Sequence, residues 1–171
     1  AIVGVAALPP AYLDLLAALG CYLDIHLFVL DPCQEYWGDI QAERDLARLG
    51  EAVDPEEAYL TVGNPLLASL GKQGRDFLDL LQAYPGAEWV RFVEPAGDEL
   101  LQRLQADILH LRERGGEGCP PLPLDPGDRS VQVHVCHGPM REVEVLHDQL
   151  LALFERWPEL RPSDVIVMAP D

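Results

Sequence analysis

VGNPLLASLGKQGRDF, residues 62–77, carries a Gly-Lys pair in a setting where a phosphate-binding loop cannot form. Such a loop has the pattern GxxxxGK[ST]: its backbone N–H groups cradle phosphate, its Lys reaches the terminal phosphates and its hydroxyl holds magnesium. Here seven residues separate Gly63 from Gly71, and Gln73 stands where the hydroxyl belongs. The stretch reads as helix instead. Asn64 is a good N-cap, Pro65 suits the first helical position, and Leu67, Leu70, Phe77, Leu78 and Leu81 recur at helical spacing. A helix from Asn64 to about Tyr84 therefore holds Lys72 inside it, and nucleotide hydrolysis through this segment is excluded.

Upstream, residues 2–6 are a short apolar run, and Pro9-Pro10 opens a helix with Tyr12, Leu15, Leu16 and Leu19 on one face. Gly20 closes it, and residues 24–30 run apolar again, which makes a β-α-β unit. Apolar runs of this kind predict an α/β fold with a parallel sheet covered by helices. Asp31-Pro32-Cys33 turns the chain into Tyr36-Trp37-Gly38-Asp39-Ile40, followed by a polar helix ending near Gly50 and an acidic surface connection over 51–61. Downstream, residues 88–93 read as a strand. A second helix runs from an Asp98 cap through Leu101, Leu104, Ile108 and Leu111 to Gly115.

GGEGCPPLPLDPGD, residues 115–128, is too rich in Gly and Pro for a regular element and reads as a linker. It divides a first domain, 1–114, from a second, 129–171. Beyond it Val131, Val133 and Val135 alternate with Gln132, His134 and Cys136, and Pro139 starts a helix bearing Val143, Leu146, Leu150, Leu153 and Trp157. Residues 165–168 complete a second β-α-β unit. Both ends of the chain read as mid-fold, which predicts that it is part of something larger.

The 171 residues carry a formal charge of −17, so unaided wrapping of nucleic acid is disfavoured. The charge is uneven. Residues 1–62 hold 2 basic and 11 acidic side chains, whereas residues 63–114 hold 6 and 8, so the middle segment is the part best suited to approach a phosphate backbone. Cysteines at 21, 33, 119 and 136 have no CxxC spacing, which argues against a zinc ribbon or a disulfide scaffold and for reduced cytoplasmic thiols. No apolar run reaches the roughly 18 residues of a membrane span, and the opening AIVGVAALPP lacks the positive flank of a signal peptide.

Three stretches in order, LDPCQEYWGDI (30–40), VGNPLLASLGKQGRDF (62–77) and VHVCHGPMREVEVLHDQLLALF (133–154), with DVIVMAPD at the end, resemble the gamma-subunit family of bacterial exodeoxyribonuclease V, the RecC family. The likeness runs over nearly the whole chain, which would be a minor internal part of that longer subunit. It implies a superfamily 1 helicase-like architecture without a working phosphate loop, with parts of two motor-like domains meeting at the linker. It also implies partners: the beta helicase-nuclease and alpha helicase subunits, and DNA handled through the full complex. In the family the gamma subunit holds these partners, helps split the duplex, guides the strands and reads Chi. On this resemblance ATP and magnesium belong to the partner subunits, and no cofactor, metal or catalytic residue is expected here. No Chi-reading residue is carried over to this chain.

Four side chains are candidate DNA contacts: Trp37, Lys72, Arg75 and Arg141. Trp37 follows a strand end, where α/β sheets place ligand sites, and an indole there can stack on a base; packing is the stronger reading. Lys72 and Arg75, on successive helical turns, can meet a phosphate, but pairing with Asp76 or Asp79 on a solvated face competes. Gly71 and Gly74 then serve close helix packing. Arg141, in the first turn after Pro139, is a weaker candidate because its nucleotide-sensing role lapses without a phosphate loop. His134, Cys136, His137 and His147 are the densest set of soft ligands, yet their spacing does not converge on a tetrahedral metal site.

Two rival functions stand beside a non-catalytic scaffold. One is an ATP-dependent helicase or nucleotide hydrolase, which the missing phosphate loop opposes. The other is an acidic protein-interaction domain unrelated to DNA. Nuclease activity needs clustered carboxylates with a nearby Lys, and the sequence has no such pattern.

Overall fold

The computed structural model describes residues 1–40, 63–115 and 119–169. They fall into two units, Ala1–Ser130 and Val131–Asp171. The polar helix ending near Gly50 and the acidic connection over 51–61 lie outside the described residues.

The first unit opens with the expected β-α-β arrangement. Strands β1 (Ile2–Val3) and β2 (Leu27–Phe28) pair in parallel, Ile2 opposite Leu27 and Val3 opposite Phe28, with helix α1 (Pro10–Gly20) between them. Pro10 occupies the first turn, where its missing N–H costs nothing. The buried side of α1 differs from the expected face: Leu13 is inside, while Tyr12, Leu15 and Leu19 are exposed. Asp14 is the only charged side chain between Pro10 and Gly20, so apolar spacing defines no unique face.

The helix expected from Asn64 is two helices, α2 (Pro65–Leu70) and α3 (Lys72–Gln82), joined at Gly71. Asn64 caps α2 by accepting from the Leu67 N–H at 3.1 Å, as its position predicts. Hydrogen bonding continues across the joint: the Gly71 N–H bonds Leu67 O at 2.8 Å and the Arg75 N–H bonds Gly71 O at 2.9 Å. A Cβ on Gly71 would lie 2.5 Å from Leu67 O and 2.9 Å from the Trp37 ring, so the close approach requires glycine. A Cβ on Gly74 would meet the same ring at an ordinary 3.8 Å, so the close packing expected there does not require glycine.

Around that joint sits the core: Cys33, Trp37, Ile40 and Leu67, flanked by Leu78, Ile108 and Leu111. The last two reach it from helix α4 (Leu100–Leu109) and the turn after it, where Leu111 adopts a left-handed φ of 51°. Polar ties close this assembly. Asn64 donates to the Arg112 carbonyl at 2.9 Å, the Gln34 N–H to Leu109 O at 2.9 Å, and buried Asp107 accepts two bonds from Arg114 at 2.6 and 2.5 Å.

Asp98 does not cap α4. The helix starts at Leu100, and its first amides are met by Asp128 and Ser130 from the far end of the Gly/Pro-rich stretch. A local cap motif identifies a residue type able to cap, but the nearest acceptor in space wins. In the second unit, helix α5 (Pro139–Arg156) begins at Pro139 as expected, and a 3-10 turn follows at Pro162–Asp164.

The strands expected at 88–93, 131–136 and 165–168 are not formed among the described residues. Alternating apolar residues mark a segment able to pair, but a strand exists only where a neighbour meets its N–H and C=O groups. Val135 is 96% exposed, so nothing among the described residues covers this segment.

Candidate functional site

The sequence-marked residues part company in the structure. Trp37 is a core residue, only 5% exposed, with its indole N–H donated to Asp31 Oδ1 at 3.1 Å. Asp31 Oδ1 also accepts from the Cys33 N–H at 3.2 Å, so one carboxylate organises the turn that carries Trp37 inward. A stacked base needs an open ring face. Trp37 offers none.

Arg75 is also inside. Its side chain is 6% exposed, and its guanidinium donates to the backbone carbonyl of Ile40. Asp76 stands 3.9 Å from Arg75 Nε and is itself mostly exposed, so the carbonyl is the closer partner. This departs from both sequence readings, phosphate contact and solvated ion pair. The bare backbone at Gly71 brings Trp37 against the α2–α3 joint, and the Trp37–Ile40 segment then lies within reach of Arg75.

Lys72 remains exposed, with no partner among the described residues. It stands at a shallow cleft of about 530 Å³ whose apolar wall includes Leu8, Leu70 and Phe77, with Gln73 and Asp76 beside the lysine. Leu8 belongs to the loop leaving the carboxyl end of β1, the edge at which open α/β sheets bind ligands. One lysine facing one aspartate gives a nearly neutral rim, not a phosphate cradle. Arg141, in the second unit, pairs with Glu144 at 3.0 Å, and this hydrogen bond holds the guanidinium pKa above its ordinary value. Both partners are about half exposed, so the pair is weak and readily exchanged.

Thus the structure gathers Trp37 and Arg75 into one packing knot and leaves Lys72 outside it. No group of three or more His, Cys, Asp or Glu among the described residues can hold a metal ion. His134 and Cys136 border a small cleft with Glu142 and Gln149, while His147 faces Asp148 at 3.7 Å. Burial pushes the Cys33 thiol up, and its Sγ donates to Leu109 O at 3.4 Å, the state of an inert packing thiol. Sequence reasoning missed the Asp107–Arg114 pair. Their separation of seven residues across a helix end gives no periodic signal.

A family model described as "RecC, N-terminal domain" matches residues 1–111, the stretch that contains this knot. The chain belongs to the RecC family. It is 42% identical to the RecBCD enzyme subunit RecC of Escherichia coli K12 and 41% identical to that of Haemophilus influenzae, in each case over 99% of the chain. The corresponding protein of Mycolicibacterium smegmatis is 34% identical over 96% of the chain. The chain spans only 18%, 18% and 14% of the length of these RecC proteins. The first two alignments run over 202 positions, more than the 171 residues here, so those relatives carry residues inside the matched region that this RecC-family chain lacks. No helix among the described residues is long and apolar enough to cross a membrane.

Proposed function

We propose that this chain is a non-catalytic scaffold and DNA-handling part of the gamma subunit of the exodeoxyribonuclease V helicase-nuclease complex. In this reading it works in the cytoplasm, in double-strand-break repair by homologous recombination, and Chi recognition belongs to the whole subunit. Its architecture is that of a superfamily 1 helicase whose phosphate loop has been lost, with parts of two motor-like domains. The observation that carries the reading is the fate of the Gly-Lys pair: Gly71 is the contact point for Trp37, and helix α2 (Pro65–Leu70) occupies the positions before it that a phosphate loop would need. A segment committed to packing holds its neighbours in place. Its partners are the beta and alpha subunits, which use ATP and magnesium, and DNA reaches it through the assembled complex.

Within that reading Lys72 and Arg141 are the remaining candidates for phosphate contact, being the two sequence-marked cations that are exposed. The test is co-expression of the intact polypeptide with a tagged beta subunit and the alpha subunit. Retention of all three through purification is expected; a polypeptide that passes through while beta and alpha are retained overturns the assignment. In the assembled complex, Lys72→Glu should flatten the salt dependence of DNA binding, and an unchanged slope removes Lys72 from the DNA path.

A further inference from the structure

Helix α4 has no cap of its own: Glu99, at its N-cap position, makes no side-chain capping bond. Two of its first amides are met from almost thirty residues away. The Leu100 N–H donates to Asp128 Oδ2 at 2.6 Å and the Leu101 N–H to Ser130 Oγ at 3.0 Å. The other Asp128 oxygen accepts from the Ser130 N–H at 2.8 Å, so a single carboxylate joins the helix start to the turn that presents Ser130. One turn into the helix, Arg103 Nη1 donates to the Pro123 carbonyl at 2.9 Å. The turn is built in advance: Asp125 Oδ1 accepts from the Gly127 N–H at 2.8 Å, and the Asp128 N–H bonds Asp125 O at 3.0 Å.

A carboxylate at a helix N-terminus is favoured both as a hydrogen-bond acceptor and by the helix dipole. Gly/Pro-rich sequence left to itself samples many conformations. Here the stretch just before the second unit is fastened at both Pro123 and Asp128–Ser130, and the first unit ends at Ser130.

We propose that residues 123–130 form a clasp on the N-terminus of α4, made by Asp128, Ser130 and Arg103, that holds this end of the Gly/Pro-rich stretch as a fixed part of the first unit. The composition of the stretch predicts a loose linker. The clasp instead fastens its residues 123–128 to the first unit.

The test is amide exchange with limited proteolysis on the intact polypeptide that carries this sequence. In Asp128→Ala the Leu100 and Leu101 amides should exchange about five- to tenfold faster, and cleavage within 119–130 should rise, while α3 amides keep their protection. Asp128→Asn keeps an acceptor but loses the charge, and should fall between wild type and the alanine variant. If Asp128→Ala also strips protection from α3, Arg103→Ala replaces it, with faster cleavage around Pro123 expected. Leu100 and Leu101 amides that exchange at the rate of free peptide in the wild type, or variants indistinguishable from it, overturn the clasp.

Discussion

Helices α4 and α5 are both amphipathic by sequence, yet they meet opposite fates. The ten residues of α4 bury Asp107 and Leu109, and Ile108 packs against the Trp37 core. The eighteen residues of α5 bury nothing, and Val143 and Met140 stand open. What differs is the opposing surface. Around α4, polar ties from Cys33, Gln34 and Asn64 to the Leu109–Arg112 turn bring distant segments together, whereas Arg141–Glu144 and Arg161–Asp164 join near neighbours along the chain. An apolar stripe is an offer of packing. It becomes a core only where another element accepts it.

The contrast breaks most severely at Trp37. Trp37→Ala removes the centre of the buried cluster and should destabilise the first unit by about 3–5 kcal/mol, read by chemical denaturation. A cost below about 1 kcal/mol would show that Trp37 is not the centre of a core. Next in size is Arg75→Met, which leaves the Ile40 carbonyl without its charged donor. A loss of about 1.5–3 kcal/mol is expected, and a neutral outcome would return Arg75 to the surface.

A smaller effect sharpens the contrast from the other side. Val143→Ala on α5 should change stability by less than about 0.5 kcal/mol, because the side chain is 62% exposed. A cost of core size would mean that α5 is covered. The gentlest probe is pH. Hydrogen bonds from Ser130 and Leu100 hold the Asp128 carboxyl below its ordinary value, so its contribution is complete above the unfolded pKa and is lost as pH falls through the folded one. Protection of the Leu100 and Leu101 amides should therefore be steady from neutral pH down to about 4 and decline only below it. A decline that begins near neutrality would point to another group.

The sequence was most legible where cause and effect are neighbours. Asn64 and Pro65 announce a helix start because the cap is made three residues away, and the glycine at 71 announces close packing, whereas Gly74 has room for a side-chain carbon. That Gly71-Lys72 cannot close a phosphate loop was readable from spacing alone. Contacts set by the third dimension were hidden. Nothing local tells Arg75 to turn inward toward Ile40, or Asp128 to reach back to Leu100. The expected strands fail for the same reason, since Val131, Val133 and Val135 advertise a face but cannot name what pairs with it. Trp37 lay between the two cases: its packing role was available from residue type, its partners were not.

The central claim is that the Gly-Lys pair serves packing instead of phosphate. Calorimetric titration of ATP with magnesium into the intact polypeptide, free of the other subunits, tests this most directly. No saturable binding is expected. Micromolar, saturable binding that Lys72→Ala abolishes would contradict it.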